Sequence, residues 1–422
     1  MDALNFHRDN FPGNGKIEII PKVPLTEETL SLAYTPGVAE VSRAIANGDD
    51  PCEYTNRCNT VAVVSDGTRV LGLGDIGPSA ALPVMEGKAL LFKVFGGVDA
   101  FPLVLAEKNP ERFIEVIKAV SPSFGGINLE DIASPKCFYI LERLRNELDI
   151  PVFHDDQQGT ASVVLAGLMN ALKVVGKRMG DITLVLFGAG AAGFATLRIA
   201  TEAGVRPENV RVVELVEGRQ RVITPDLPLE RLFPYRGELL SKTNGEGIEG
   251  GPEEAVKGAD VLISFTKPGP GVITPGWIRL MADDAVVFPL ANPVPEILPE
   301  EAKRAGARIV ATGRSDYPNQ VNNLLGFPAI FRGALDVRAR AITDGMIIAA
   351  SKAMASVIEP SEDEIIPSPF HPDVHPKVAR AVAEEALREG VARAKVSPEE
   401  VEGKLRQWRV FYLEKIAPLG WR

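Results

Sequence analysis

Cysteine and histidine are scarce in this chain, three and four respectively in 422 residues. Cys52, Cys58 and Cys137 are odd in number and lack the paired spacing of a metal site. They read as belonging to a reduced, cytoplasmic chain without a disulfide framework. His371 and His375 fall in the proline-rich "PFHPDVHP", which reads as a loop and makes a poor zinc scaffold. An excess of positive charge is also missing. The formal net charge of -10 argues against a nucleic-acid or anionic-membrane partner, since both want a basic face. A few local arginines still suffice for an anionic substrate. No basic stretch precedes an apolar run in "MDALNFHRDN", so no secretory signal is visible. The longest apolar stretch, residues 182–197, is interrupted by glycine and too short to span a bilayer. What remains is ordinary globular composition, 45% hydrophobic and 24% charged, enough for two or three domains with real cores.

The chain alternates strand-like and helix-like segments, the pattern of an α/β fold. "TVAVVSDG", "INLEDI" and "IPVFHDDQQGT" read as strands running into loops. "PKCFYILERLRNEL" has helical periodicity, and "ALLFKVFGGVDAFPLVL" fits either two strands or a helix and a strand. A long helical run follows from Ala161 to Gly176. From Asp181 a second alternation begins, with "ITLVLF", "NVRVVEL", "ADVLISF", "AVVFPL" and "RIVATG" as strands of a parallel doubly wound sheet. The expected division is an N-terminal α/β domain over residues 1–156, a second domain over 157–375, and a helical tail over 376–422 that packs back on the body.

"FGAGAAG" places Gly188, Gly190 and Gly193 in G-x-G-x-x-G spacing, with Ala189, Ala191 and Ala192 between them. The string alone is weak evidence. Here it follows a strand and opens a helix, the context in which backbone N–H groups meet a pyrophosphate. This predicts a Rossmann-like dinucleotide domain. Glu214, at the end of the next strand, is suited to the adenosine ribose hydroxyls and would repel a 2′-phosphate. NAD is therefore expected, with NADP kept open because Glu217, Arg219 and Arg221 crowd the same turn.

Paired acids end two of the earlier strands: Glu130 and Asp131 after "INL", Asp155 and Asp156 after "FH". Such pairs usually begin solvated loops. Brought together they would form an all-oxygen donor set suited to Mg²⁺ or Mn²⁺.

At these residues the chain resembles the malic enzymes of the short bacterial type. "AYTPGVAEV", "DGTRVLGLGDIG", "MEGKALLFKVFGGVDA", "INLEDI", "FHDDQQGT", "GAGAAG", "ANPVPE" and "SDYPNQVNNLLGFPAIFRGALD" occur in the family's order from about residue 30 to residue 340. Gln157 stands where an apolar residue is common, and the turn after Glu214 is longer by a residue. The resemblance implies a metal held by Glu130, Asp131 and Asp156 with Asp155 adjacent. It implies Tyr34 as general acid, Lys88 as general base, and Arg69, Asn292 and Asn323 as substrate ligands, with Asn292 also beside the cofactor. Asn322 is a neighbour that braces the loop. Alone, Tyr34 reads as a turn residue, Lys88 as a snorkelling surface lysine, Arg69 as half of an ion pair and the asparagines as turn residues.

The reaction implied is oxidative decarboxylation of malate to pyruvate through metal-bound oxaloacetate and an enolate. It needs a Lys88 whose pKa falls by about three units from its ordinary value near 10.4. A homodimer is expected from the same resemblance. A malolactic lyase that keeps its NAD and releases lactate is one alternative; an amino-acid dehydrogenase, which needs no acid cluster, is another.

Overall fold

The computed structural model describes residues 2–8 and 15–417. Two parallel sheets organise it. The β-branched run Thr60–Ser65 forms β1, flanked by β2 (Asp99–Val104) and β3 (Gly126–Leu129), with β4 (Val152–His154) beside β3. Every pairing in this sheet is parallel, so helices must cross over between strands. They are α1 (Pro78–Gly96), α2 (Pro110–Val120) and α3 (Lys136–Glu147). The ambiguous segment before β2 is thus a helix and a strand. Asn109 caps α2 by accepting from Arg112 N, with Pro110 at the first helical position.

The register of β3 and β4 positions the acids. Leu129 lies opposite His154. The two acid pairs therefore leave their strands side by side at the carboxyl edge of a parallel sheet, where α/β folds bind ligands. Asp155–Gly159, expected as a loop, instead forms a wide helical turn continuous with α4 (Thr160–Val175). Asp155–Val175 is the one helix among the described residues long and apolar enough to cross a membrane; 72% of its most apolar window is buried inside the protein.

The second sheet has the order β10-β9-β8-β5-β6-β7. Its strands are β5 (Leu184–Phe187), β6 (Val210–Val216), β7 (Arg219–Val222), β8 (Val261–Ser264), β9 (Ala285–Pro289) and β10 (Ala307–Val310). All pairs are parallel except β6 with β7, an antiparallel edge hairpin that the expectation of a purely parallel sheet did not include. Neighbours lie on both sides of β5, so the strand order reverses there, opening a crevice at its carboxyl end. Helix α5 (Ala191–Glu202) starts at that point.

Four further helices join the halves: α6 (Phe327–Asp336), α7 (Asp344–Ala355), α8 (Val374–Arg388) and α9 (Pro398–Phe411). Phe92 of α1 meets Phe327 and Phe331 of α6 edge-on, with centroids 4.7 and 5.2 Å apart. Truncating so buried a phenylalanine typically costs about 3–5 kcal/mol. Trp408 of α9 donates its indole N–H to Lys93 O at 2.8 Å, tying the tail to the end of α1. His375, expected in a loop, lies in the first turn of α8 and is buried.

One expectation fails outright. Cys52 and Cys58 are joined by a disulfide, with Cα atoms 5.3 Å apart. The short helix Pro51–Tyr54 and the turn Arg57–Asn59 fold back on each other, bringing together thiols that linear spacing left unpaired. Cys137 stays free and buried. The cysteine count therefore no longer argues for a reducing compartment.

Candidate active site at the carboxyl edge of the first sheet

Glu130 and Asp131 stand just past β3, where alternation no longer applies. Asp131 adopts a positive φ of 55°, which turns its carboxylate toward the same side as its neighbour's. Its N–H donates to Asp156 Oδ2 at 2.9 Å, locking the two strand ends together. One oxygen from each of Glu130, Asp131 and Asp156 lies within 4.8 Å of the others. Glu130 and Asp131 are buried, while Asp156 opens to the cleft. Asp131 Oδ2 and Asp155 Oδ1 are buried without a hydrogen-bond partner, a costly arrangement unless a cation completes it. Burial raises all four carboxyl groups above their ordinary values, and the crowding of like charge adds to it at Glu130, Asp131 and Asp155. Asp131 is pushed up to about 7. The donor set is all oxygen and fits a hard dication such as Mg²⁺ or Mn²⁺.

Lys88 projects from α1 into the same cluster. Its ammonium pairs closely with Asp155 Oδ2, lies 3.4 Å from Glu130 Oε1, and sits 4.6 Å from the centroid of the Phe327 ring. Burial alone would lower its pKa, but the Asp155 and Glu130 carboxylates outweigh it and hold the group above its ordinary value. The expected lowered lysine is thus not what these side chains alone produce, because Asp155, beside the candidate ion site, and Glu130, within it, both act on the amine. Asn323 Nδ2 donates to the same oxygen of Asp155. Asp155 is therefore the hub of the site rather than a bystander. Gly159 makes this possible: a Cβ there would lie 2.0 Å from Asp155 Oδ1.

The remaining candidates fall into two groups. Arg69 is exposed, its N–H bonded to Asp131 O at 3.0 Å and its charge felt by Asp156. Asn292 precedes a cis-proline and packs between two glycines: a Cβ on Gly72 would meet its carbonyl oxygen at 2.9 Å, one on Gly313 its side chain at 3.0 Å. Asn322 Oδ1 accepts from Leu324 N at 3.0 Å and braces the turn that carries Asn323. Tyr34 stands apart. It ends the short helix Glu27–Ala33, is 69% exposed, and makes no side-chain hydrogen bond to any described residue.

Sequence reasoning also missed Glu296. Fully buried, it accepts from Ser264 Oγ, Thr266 N, Thr266 Oγ1 and Ala291 N. It thereby ties the ends of β8 and β9 together next to Asn292. Its only signal was a charged residue inside "PVPEIL".

At the glycine turn, Gly188 has φ 86°, and a Cβ on Gly193 would lie 1.9 Å from Gly188 O. Only glycines allow this packing of helix on strand. The Glu214 carboxylate accepts from Ala189 N and, at 3.1 Å, from Leu215 N. It thus occupies one of the N–H groups a pyrophosphate would use. The backbone N–H groups of Gly190, Ala191 and Ala192 begin α5 beside it, where a helix N-terminus favours anions.

Comparison with known proteins identifies the family. The malic enzyme N-terminal domain matches residues 14–145, and the malic enzyme NAD-binding domain matches residues 157–214 and 253–387. An NAD-dependent malic enzyme of Geobacillus stearothermophilus is 54% identical over 90% of this chain and 78% of its own length. A bifunctional malic/malolactic enzyme of Bacillus subtilis is 48% identical over 96% of this chain and 97% of its own. The crystal structure of a malic enzyme from Pyrococcus horikoshii superposes with a TM-score of 0.97 at 73% identity, covering 99% of this chain and 97% of that one. The chain belongs to the malic enzyme family.

Proposed function

We propose that the chain oxidises and decarboxylates malate to pyruvate and CO₂, reducing NAD or NADP. The observation that carries this reading is the convergence of the Glu130, Asp131 and Asp156 oxygens within 4.8 Å of one another, beside Lys88 and Asn323. A dication held by those three acids would supply Lewis acidity toward the substrate hydroxyl and carboxylate and offset the negative charge around Lys88. With that charge offset, burial would be the ruling influence on Lys88 and would favour the neutral amine. Lys88 Nζ then takes the C2 hydroxyl proton as hydride leaves for the dinucleotide. Asp155, fixed by Asn323, holds the amine in line. Arg69 and Asn292, whose loops meet at Gly72, are the groups available to the substrate carboxylates. Loss of the C4 carboxylate as CO₂ follows from the β-keto acid so formed, and C3 needs a proton.

Tyr34 is the family's donor of that proton, yet it is exposed here. The segment around it carries Ile19, Ile20, Val23, Leu25, Leu30 and Leu32, all more than half exposed. Exposed apolar side chains recurring along one segment want a partner surface. We infer a homodimer in which this arm packs on a second copy and delivers Tyr34 to the neighbouring site. For the cofactor, Glu214 favours NAD, while Arg221, its antiparallel partner in the ladder, tempers repulsion of a 2′-phosphate.

The test follows absorbance at the NADH band with malate, with Mn²⁺ or chelator, using NAD and NADP in parallel, with the organic product identified. Metal-dependent NADH with stoichiometric pyruvate is expected. Lactate without net NADH would replace this reading with the malolactic one, and activity indifferent to chelator would remove the metal from it.

A further inference from the structure

Between the two stretches that match the NAD-binding domain lies an insertion, residues 215–252. It begins as the β6–β7 hairpin and returns as two short helical turns, Leu229–Leu232 and Gly237–Leu240. Between those turns, Arg236 reaches back to the glycine turn and donates Nη1 to Ala189 O. Its guanidinium stands 5.2 Å from the ring centroids of Phe138, on α3, and Phe233. The residue is only 8% exposed, and its Nε is buried with no acceptor. The carboxylate that acts on it most strongly is Glu214, whose oxygens already accept from Ala189 N and Leu215 N. A buried cation with a spare donor and no ion-pair partner is unfavourable on its own. It becomes reasonable if an anion arrives.

We propose that Arg236 is a cofactor-binding residue, the counter-charge that the insertion supplies to the dinucleotide's diphosphate at the Gly188–Gly193 turn. This rests on the reading of that turn as a dinucleotide site and names a ligand group beyond it. The diphosphate needs the Ala189 N–H that Glu214 holds, so its arrival turns Glu214 outward toward the ribose. Arg236 then faces two phosphate charges in place of one distant carboxylate. The rival explanation is purely structural: Arg236 pins the insertion between Phe138 and Ala189 and has no part in binding.

The two are separated by equilibrium titration of the full chain, without malate, using ADP-ribose and adenosine as probes. Arg236→Gln keeps a donor for Ala189 O and removes the charge; Arg236→Lys keeps the charge. A charge-assisted contact predicts that Arg236→Gln weakens ADP-ribose by about tenfold or more, leaves adenosine unchanged, and that Arg236→Lys retains most of the affinity. Equal losses in both variants, equal losses for both probes, or no loss at all would overturn the proposal. Should Arg236→Gln not fold, Arg236→Lys and the salt dependence of the native chain decide. ADP-ribose binding that weakens with salt while adenosine binding does not, together with retained affinity in Arg236→Lys, supports the proposal, and the absence of either overturns it. A native chain that binds neither probe removes the dinucleotide reading itself, an outcome distinct from normal binding that Arg236→Gln leaves intact.

Discussion

Asp155 Oδ2 accepts at once from Lys88 on α1 and from Asn323 on the turn before α6, so one carboxylate sets the position of two proposed substrate-facing groups. Asp155→Asn should therefore impair more than a removed charge suggests. A fall in kcat of two to three orders of magnitude, about 3–4 kcal/mol, is expected with far-UV circular dichroism unchanged. Gly159→Ala should mimic it, because the new Cβ collides with Asp155 Oδ1 although the local backbone is helical. Near-native kcat in Gly159→Ala would mean the hub tolerates displacement and is not what orients Lys88.

Metal binding should be visible without turnover. Mn²⁺ at a hundred times its dissociation constant stabilises a single-site protein by about 2.7 kcal/mol, a rise of several degrees in Tm. Asp131→Ala should abolish that rise, while Asp75→Ala, on the exposed loop paired with Lys108, should leave it intact. A Tm indifferent to Mn²⁺ in the native chain would count against the cation site.

Mixing inactive variants reads out where Tyr34 works. In a dimer with exchanged arms, Tyr34→Phe paired with Lys88→Ala rebuilds one intact site in each mixed dimer. After subunit exchange about a quarter of native activity should return. No recovery, with mixed dimers demonstrated by mass, would place Tyr34 in its own subunit's site.

His375 predicts an acid-side loss of stability unrelated to the cleft. Burial, aided by Arg409 and opposed by the bond to Leu324 O, lowers its pKa from 6.5 to about 4. Between those values the unfolded chain binds a proton that the folded chain refuses, so stability falls as pH drops from 6.5 to 4 and this contribution is flat outside that window. The span corresponds to about 3 kcal/mol. His375→Gln should flatten that part of the stability profile measured by urea unfolding; an unchanged slope would assign the acid sensitivity elsewhere.

The residues most legible from sequence were those whose chemistry depends on backbone position. Glu130, Asp131, Asp155 and Asp156 end apolar strands, and strand ends in a parallel sheet share one edge, so their meeting followed from topology. The glycine turn was legible for the same reason, its conformation being tied to three glycines at fixed spacing. Less legible were features made by tertiary contact alone. Nothing near Arg236 announces that it lies against Ala189, and Glu296 looks like any acid in a proline-rich loop. The hub role of Asp155 depends on Lys88 and Asn323, both remote in the chain. The Cys52–Cys58 bond depends on a fold-back that spacing does not encode, and the electrostatic state of Lys88 on acids whose charge only an ion would offset.

The alignment of Leu129 with His154 carries a last consequence. Because the carboxylates follow directly on the ends of two hydrogen-bonded strands, the breadth of the ion's seat is tied closely to interstrand spacing. A cation resting there acts as a rivet between adjacent strands, so its departure should loosen amide protons of β4 before those of β1. Hydrogen exchange with and without Mn²⁺ would report that sequence directly.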